Sequence, residues 1–421
     1  MKTVELTING ISDQFYGRSC LDQKEVHVIG ALDGEIVEAT IIKRGRKKLL
    51  AIAGNIKQSS PLRIHPPCPH FLNCSGCTLQ HISSKSQLEI KAKWLEKQIQ
   101  FQVGYTQSNP WHYRRRARLS VKYDAKKDEL LIGFREHKGW YVAKMDGCMI
   151  LPEKIDASLL LLKQALAKLT IKDSISQAEI SSIANQHAII IRHLMPLQAV
   201  DIETLIQFEK NSGLQVYTQG NDLKIHRPGD FNTAFEPQIA QVGTHEYRID
   251  IHDFIQVNES ANTALIQHIQ QHLVPDQITH DFFCGIGNIS LSISNIAWQI
   301  FGYELSETMV RKAEKNAQIN KVKNCEFIQM DLFKAQQNDL KLKPTDVVIL
   351  DPPRSGAEDL CHLLNQHCVS QIIYVSCNAK TLSRDLQILS KRYDIANAHI
   401  FDMFSHTSHF ETCVILVPKI H

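Results

Sequence analysis

The sequence predicts an α/β protein, and three observations carry that prediction. From Phe254 onward, strands of four to six residues alternate with helical segments, the pattern of a parallel sheet with crossover helices. Residues 1 to about 60 show short apolar runs broken by turns and no helical period, which reads as a small barrel of strands. The chain is 421 residues long, and at roughly 150 residues per domain that length calls for two or three domains.

In the first region the runs Glu25–Ile29 and Ile36–Ile42 are interrupted by Gly30, Asp33-Gly34 and a basic turn. From Arg63 to about Asp250 a cysteine-rich loop, Cys68 to Cys77, leads into a helix over Ser86–Gln100. Strand-like runs follow at Arg118–Tyr123, Leu130–Phe134 and Trp140–Lys144. Hydrophobic residues at 43% and charged residues at 22% exclude a disordered or collagen-like chain. No apolar run is long enough for a bilayer and the start lacks the apolar stretch of a secretion signal, so the chain is expected in the cytoplasm, with no membrane partner. Basic residues exceed acidic ones by 47 − 44 = 3, too few for whole-chain charge to announce a nucleic acid. Eleven cysteines without a secretion signal argue against a disulfide framework and leave metal binding, catalysis or packing.

Ile278–Phe283 reads as a strand, Cys284-Gly285-Ile286-Gly287-Asn288 as a tight turn, and Ile289 onward as a helix. Glycines let backbone approach a ligand, and Glu304, at the end of the next strand, suits the two hydroxyls of a ribose. Position 290 is Ser290 where the dinucleotide fingerprint has its third glycine, which favours S-adenosylmethionine over a nicotinamide dinucleotide.

The strand Val347–Leu350 delivers Asp351-Pro352-Pro353-Arg354, and Ile372–Ser376 delivers Cys377-Asn378. Ligands bind outside the carboxyl ends of such strands, so Asp351 and Cys377 should face one crevice. A strand-end cysteine points to a carbon target: a thiolate adding to C6 of a uracil makes C5 nucleophilic enough to take a methyl group. A base must then remove the C5 proton. Glu411, just before the apolar strand Cys413–Val417, is the candidate, with Asp351 and His406 as alternatives. An isolated cysteine is usually core and an isolated carboxylate usually solvated; together with Asp351 the pair favours chemistry. Cys68, Cys74 and Cys77 form C-x5-C-x2-C, and Cys148 can supply a fourth ligand. Zinc, with His70 or His81, and an iron-sulfur cluster are both open on this spacing.

The segments Asp281–Asn288, Asp351–Arg354, Val375–Asn378 and the stretch ending at Glu411 resemble the RNA uracil-C5 methyltransferases of the TrmA, RlmC and RlmD group, over nearly the whole chain. The resemblance implies Cys377 as nucleophile and Glu411 as base. It implies S-adenosylmethionine contacts from Gln256, Phe283, Asn288, Glu304, Asp331 and Asp351, and a [4Fe-4S] cluster on Cys68, Cys74, Cys77 and Cys148. It also implies a Rossmann-like methyltransferase domain at 251–421, a central iron-sulfur domain at 61–250, and an N-terminal TRAM (OB-like) β-barrel at 1–60. Two basic clusters, Lys43–Lys48 in the barrel and Arg114–Arg118 beside Trp111, His112 and Tyr113, suit RNA phosphates and stacked bases. The barrel makes the chain most similar to the RlmD type, which implies 23S rRNA as partner, with tRNA as the alternative, and a monomer. A nicotinamide-dependent oxidoreductase and a non-catalytic RNA-binding iron-sulfur protein are the readings from other classes.

Overall fold

A computed structural model describes residues 2–137, 139, 141–184, 186–230 and 237–419. It divides into two compact units. The first comprises Met1–Gln87, Pro110–Phe235 and His406–Ser408; the second comprises Leu88–Asn109, Glu236–Ser405 and His409–His421.

The first unit opens with β1 (Thr3–Thr7), β2 (Gly17–Leu21), β3 (Lys24–Ile29), β4 (Ile36–Arg44) and β5 (Lys48–Gln58), in the sheet order β1-β4-β5-β3-β2. Its outer strands meet, because Ser19 Oγ donates to the Thr7 carbonyl at 2.8 Å and the Asn9 N–H to the Arg18 carbonyl at 2.8 Å. The expected small barrel is therefore a curled five-stranded sheet. Alternation explains it: along β4, Val37, Ala39 and Ile41 are buried while their neighbours are not, and with Val26, Val28 and Ala51 they fill the interior. Gly30 lies at φ +78°, a backbone that favours glycine, and a Cβ there would press on the Leu72 side chain of the cysteine loop. Glu35, fully buried, accepts N–H bonds from Leu32 and Ser60 and is bridged by the Arg63 guanidinium.

Helix α1 (Ser84–Ile99) covers the run expected to be helical, and β6 (Gly104–Thr106) follows it; residues 88–109 belong to the second unit. Back in the first unit come β7 (Arg116–Asp124), β8 (Glu129–Gly133), α2 (Glu153–Lys168), β9 (Ile175–Ile183), β10 (Gln186–His193), α3 (Ala199–Ser212), β11 (Gln215–Gln219) and β12 (Ile225–His226). Their strands form a sheet ordered β12-β11-β10-β9-β7-β8. The expected strand at Trp140–Lys144 is not a strand: Val142 makes only an isolated bridge with Arg135, and Trp140 lies outside the described residues.

In the second unit the hairpin β13 (Gln238–Val242) and β14 (His245–Ile249) precedes α4 (Glu259–His272). Then follow β15 (Ile278–Phe282), α5 (Asn288–Ser292), β16 (Gln299–Glu304), α6 (Glu307–Ile319), β17 (Cys325–Gln329), β18 (Val347–Leu350), α7 (Glu358–His367), β19 (Gln371–Ser376), α8 (Ala379–Leu389), β20 (Tyr393–Phe401) and β21 (Glu411–Pro418). The sheet order is β17-β16-β15-β18-β19-β21-β20-β6. Strands β15 to β19 are parallel, and β21 runs antiparallel to both neighbours. Every residue of β18 and β19 is buried, as central strands covered on both faces require. The chain goes from β15 to β16 on one side and returns to β18 on the other, which puts a switch-point crevice at the carboxyl end of β15. Among the described residues no helix is long and apolar enough to cross a membrane.

Candidate active site

At the switch point the chain turns with Phe283 at φ 68°, Gly285 at 56° and Gly287 at 88°. The N–H groups of Phe283 and Cys284 both bond the Tyr303 carbonyl, which pins the turn to β16. Glu304, ending β16, accepts the Gly285 N–H at 3.2 Å on one oxygen and the Ser306 N–H at 2.9 Å on the other. Its carboxylate is thus oriented by backbone and half-buried, with lone pairs left for a diol. Gly302 on β16 permits this packing, since a Cβ would lie 2.6 Å from the Phe327 ring and 3.0 Å from Cys284 Sγ.

Ser290, where a third glycine is absent, has a positive use: its hydroxyl donates to Asp281 Oδ2 at 2.5 Å. Asp281 is fully buried, its Oδ1 has no hydrogen-bond partner, and burial pushes its carboxyl up to about 7. Asn288 exchanges side-chain amide bonds with Asn262 of α4 at 3.0 and 3.2 Å. Gln256 is buried in the segment between β14 and α4, next to the strongly exposed Phe254. Asp331, beyond β17, accepts the Phe333 N–H at 3.2 Å and pairs with Lys334 at 3.1 Å. The Phe283 and Phe333 rings lie 5.5 Å apart. Phe333 and Leu305 are exposed apolar side chains just beyond β17 and β16. Neither was singled out in the sequence; Leu305 directly follows the strand-end carboxylate Glu304, a pattern that could have flagged it, whereas Phe333 carries no such signal.

The register brings the reacting groups together. Leu350 pairs with Tyr374 and Ser376 with Thr412, so Asp351, Cys377 and Glu411 each stand at the same end of adjacent strands. Glu411 is buried and its carboxyl is held well above the usual range, first by burial and then by Asp351. Asp351 is likewise raised, by burial and then by Asp281. Burial, followed by the Glu411 and Asp351 charges, pushes the Cys377 thiol up to about 11, and Arg354 opposes that rise. Burial and mutual repulsion thus raise all three acidic groups of this corner, and a nearby cation would favour their ionised forms. Asn378 caps α8 by accepting the Lys380 N–H, and its amide donates to the Arg354 carbonyl at 2.8 Å, tying the two strand-end loops together. His406, an alternative base, belongs to the first unit, its ring 4.0 Å from Trp111 and its Nδ1 3.1 Å from the Gln87 amide.

In the first unit Cys68, Cys74, Cys77 and Cys148 line one pocket with His70, Gln80, Phe134 and Met145. Burial raises all four thiols, Cys74 to about 11 and Cys148 to about 12, and the sulfurs of Cys74, Cys77 and Cys148 are raised further by neighbouring cysteines. Cys74 Sγ is 3.7 Å from Met145 Sδ. The four cysteines are the residue type whose thiolates, unfavourable together in a pocket this apolar, a metal centre would stabilise. Among the described residues, however, no group of three or more His, Cys, Asp or Glu side chains stands as a formed metal site. His81 is fully buried, its ring nitrogens lack partners, and it is absent from the pocket lining, whereas His70 contributes to it.

The sequence profile of the tRNA (Uracil-5-)-methyltransferase family matches residues 83–419. The chain belongs to that family. Among curated relatives, the 23S rRNA (uracil(1939)-C(5))-methyltransferase RlmD of Alkalilimnicola ehrlichii is 35% identical over 98% of this chain and 96% of its own. The protein of the same description from Vesicomyosocius okutanii is 33% identical over 99% and 98%. Among solved structures, the Pyrococcus abyssi tRNA (uracil-54, C5)-methyltransferase in complex with S-adenosyl-L-homocysteine is 25% identical. It superposes with a TM-score of 0.76 over 98% of this chain and 100% of its own.

For a uracil-5-methyltransferase family member the profile match covers Cys377, Glu411 and the whole switch-point crevice. Cys68, Cys74, Cys77 and the barrel lie before it and are spanned by the near full-length relatives. The two basic clusters differ in character. Lys43, Arg44, Arg46 and Lys47 are exposed at the β4–β5 hairpin, where the Gly45 N–H meets the Lys48 carbonyl at 2.9 Å. In the second cluster Tyr113 and Arg115 are buried, and Arg118 pairs with Glu179 at 3.1 Å. The N–H groups of His112 and Arg114 bond the carbonyls of Met149 and Ile150 beside Cys148, so much of this basic run braces the cysteine pocket.

Proposed function

We propose that this chain transfers a methyl group from S-adenosylmethionine to C5 of a uridine in 23S rRNA, through a covalent adduct between Cys377 and C6. The observation that carries the reading is the convergence of Asp351, Cys377 and Glu411 at one end of adjacent strands. S-adenosylmethionine, held by Gln256, Phe283, Asn288, Glu304, Asp331 and Asp351, supplies an electrophilic methyl. Its positive charge also favours the ionised forms of the acidic groups around it. The Cys377 thiol gives up its proton to solvent and the thiolate forms a bond to C6, pushing the ring electrons toward C5 and the C4 oxygen; C5 takes the methyl as the methyl–sulfonium bond breaks and neutral S-adenosylhomocysteine is released. Glu411 in its carboxylate form removes the C5 proton, the C5–C6 double bond reforms, and the C6–S bond breaks to return the thiolate.

The N-terminal barrel, the three-part division at about 60 and 250, and a cytoplasmic monomer complete this reading. For the [4Fe-4S] cluster on Cys68, Cys74, Cys77 and Cys148, the supporting observation is that the four thiols line one pocket. The choice of 23S rRNA over tRNA follows those relatives, whereas the Pyrococcus abyssi enzyme is described as acting on tRNA. Incubation with S-adenosylmethionine and 5-fluorouridine-substituted RNA tests both parts, because fluorine at C5 blocks the final step. A denaturation-stable adduct should form with 23S rRNA and be absent from Cys377→Ala. Adduct with tRNA alone would reverse the substrate, and none with either RNA would defeat the mechanism.

A further inference from the structure

Along α6 the buried side chains are Val310, Ala313, Asn316 and Ala317, the inward stripe of an amphipathic helix. Asn316 is the polar member of that stripe and is fully buried. Two partners within the second unit account for it. Its Oδ1 accepts the Arg248 N–H of β14 at 2.9 Å, and its Nδ2 donates to the Ile286 carbonyl at 3.2 Å. Ile286 stands between Gly285 and Gly287, in the middle of the turn that ends β15. One partner needs an acceptor and the other a donor, so an amide satisfies both. A carboxylate only accepts and would turn negative charge on the carbonyl, while an apolar side chain would leave both groups unpaired.

A peptide is planar, so holding the Ile286 carbonyl fixes the plane that also carries the Gly287 N–H, which bonds the Cys284 carbonyl at 2.9 Å. Gly285 is held through its own N–H by Glu304. The turn is thereby tied down twice, by the carboxylate that ends β16 and by the amide from α6. The β13–β14 hairpin adds a contact just beyond it: the buried Tyr247 hydroxyl lies 3.2 Å from the Asn288 carbonyl. Farther out, Asn320 joins α6 to the hairpin through two bonds with the Glu246 backbone, at 2.8 and 2.6 Å.

We propose that Asn316 is a positioning residue for the methyl donor: through the Ile286 carbonyl it holds the glycine turn in the shape that receives S-adenosylmethionine. This rests on the reading of the turn as the cofactor site. Loss of the amide weakens cofactor binding and leaves the rate at saturating cofactor, which Cys377 and Glu411 set, near the wild-type value.

The test uses the full chain, with S-adenosylhomocysteine affinity measured by calorimetry from pH 6 to 9. Asn316→Asp is nearly isosteric and keeps the acceptor for Arg248. While protonated, the new carboxyl still donates to the Ile286 carbonyl; once ionised it cannot. Burial favours the protonated form. Its affinity relative to wild type should therefore be near one at pH 6 and fall about tenfold or more by pH 9. Asp281, Cys284, Glu304 and Arg248, the ionisable groups around the turn, are the same in both proteins, so their titration cancels in that ratio. Asn320→Ala, which loosens the hairpin away from the turn, should bind as wild type does.

A wild type that binds, with Asn316→Asp equal to it at every pH, overturns the proposal alone. A wild type that does not bind overturns the cofactor reading and the proposal with it. A loss in Asn320→Ala as large as in Asn316→Asp marks the contact as general support for the hairpin and overturns the proposal too. If Asn316→Asp does not fold, Asn316→Ser is judged by kinetics. A KM for S-adenosylmethionine raised about tenfold at unchanged kcat supports the assignment, and any result without a raised KM overturns it.

Discussion

The resting Cys377 thiol should be a poor nucleophile, and the size of the deficit follows from its surroundings. Burial and the Glu411 and Asp351 carboxyls raise it to about 11, whereas an ordinary cysteine titrates near 8.5 and is about 9% thiolate at pH 7.5. At that pH the Cys377 thiolate fraction is about 0.03%, roughly 300-fold less. A thiolate of higher basicity is intrinsically more reactive, and a Brønsted slope of about 0.4–0.5 over 2.5 units returns about 13-fold. Cys377 should therefore react with a small aromatic disulfide about 20-fold more slowly than a free cysteine peptide at pH 7.5. Its rate should climb through pH 10 without levelling. Peptide mass spectrometry resolves the site, with the exposed Cys20 labelled first as an internal reference and Cys377→Ala as the blank. A cationic cofactor analogue should accelerate the reaction, because positive charge favours the thiolate. A rate that levels near pH 8.5 would refute the argument, since neither burial nor the two carboxyls would then be acting on the sulfur.

Three further outcomes are expected. Arg63→Met should destabilise the barrel by about 3–5 kcal/mol, because it leaves Glu35 buried without its cation; hydrogen exchange of the β3 and β5 amides reads this directly. Burial alone would raise Glu35, but Arg63 and the N–H groups of Leu32 and Ser60 more than reverse that. Its contribution is thus complete above the ordinary carboxylate range and is lost as pH falls through the lowered folded value. Ser290→Ala should remove the hydroxyl hydrogen bond to the buried Asp281 carboxyl and weaken S-adenosylhomocysteine binding or stability by about 1–3 kcal/mol, seen by calorimetry and melting. Replacing Lys43, Arg44, Arg46 and Lys47 by Gln should lower the salt dependence of RNA binding by up to about 3 in the log–log slope. An unchanged slope would remove the hairpin from the RNA interface.

The parts of the site that were legible in the sequence are those whose position is dictated by a strand end. Asp351, Cys377 and Glu304 each follow a short apolar run, and in a parallel sheet such residues have one place to go. Glu411 was legible for a related reason: it opens β21, whose antiparallel register beside β19 brings its start to the carboxyl end of the others. Local pattern failed where tertiary contacts decide. Trp140–Lys144 alternates like a strand, yet among its described residues there is only an isolated bridge, Arg135–Val142, and the basic run after Trp111 reads as a solvated phosphate tracker but buries Tyr113 and Arg115.

His406 shows the limit most clearly. Read along the chain, a histidine five residues before the base, among serines and threonines, is a natural proton acceptor. Its actual partners, Thr78, Leu79, Gln87 and Trp111, are hundreds of residues away in sequence, and no periodicity could have announced them. Those contacts, all within the first unit, occupy its carbonyl, its N–H and one ring face. In the proposed mechanism the base is a carboxylate, and the two candidates differ in their surroundings: Asp351 is raised by burial and then by Asp281, whereas Glu411 lies beside Cys377 across the β19–β21 register and is among the groups that raise its thiol.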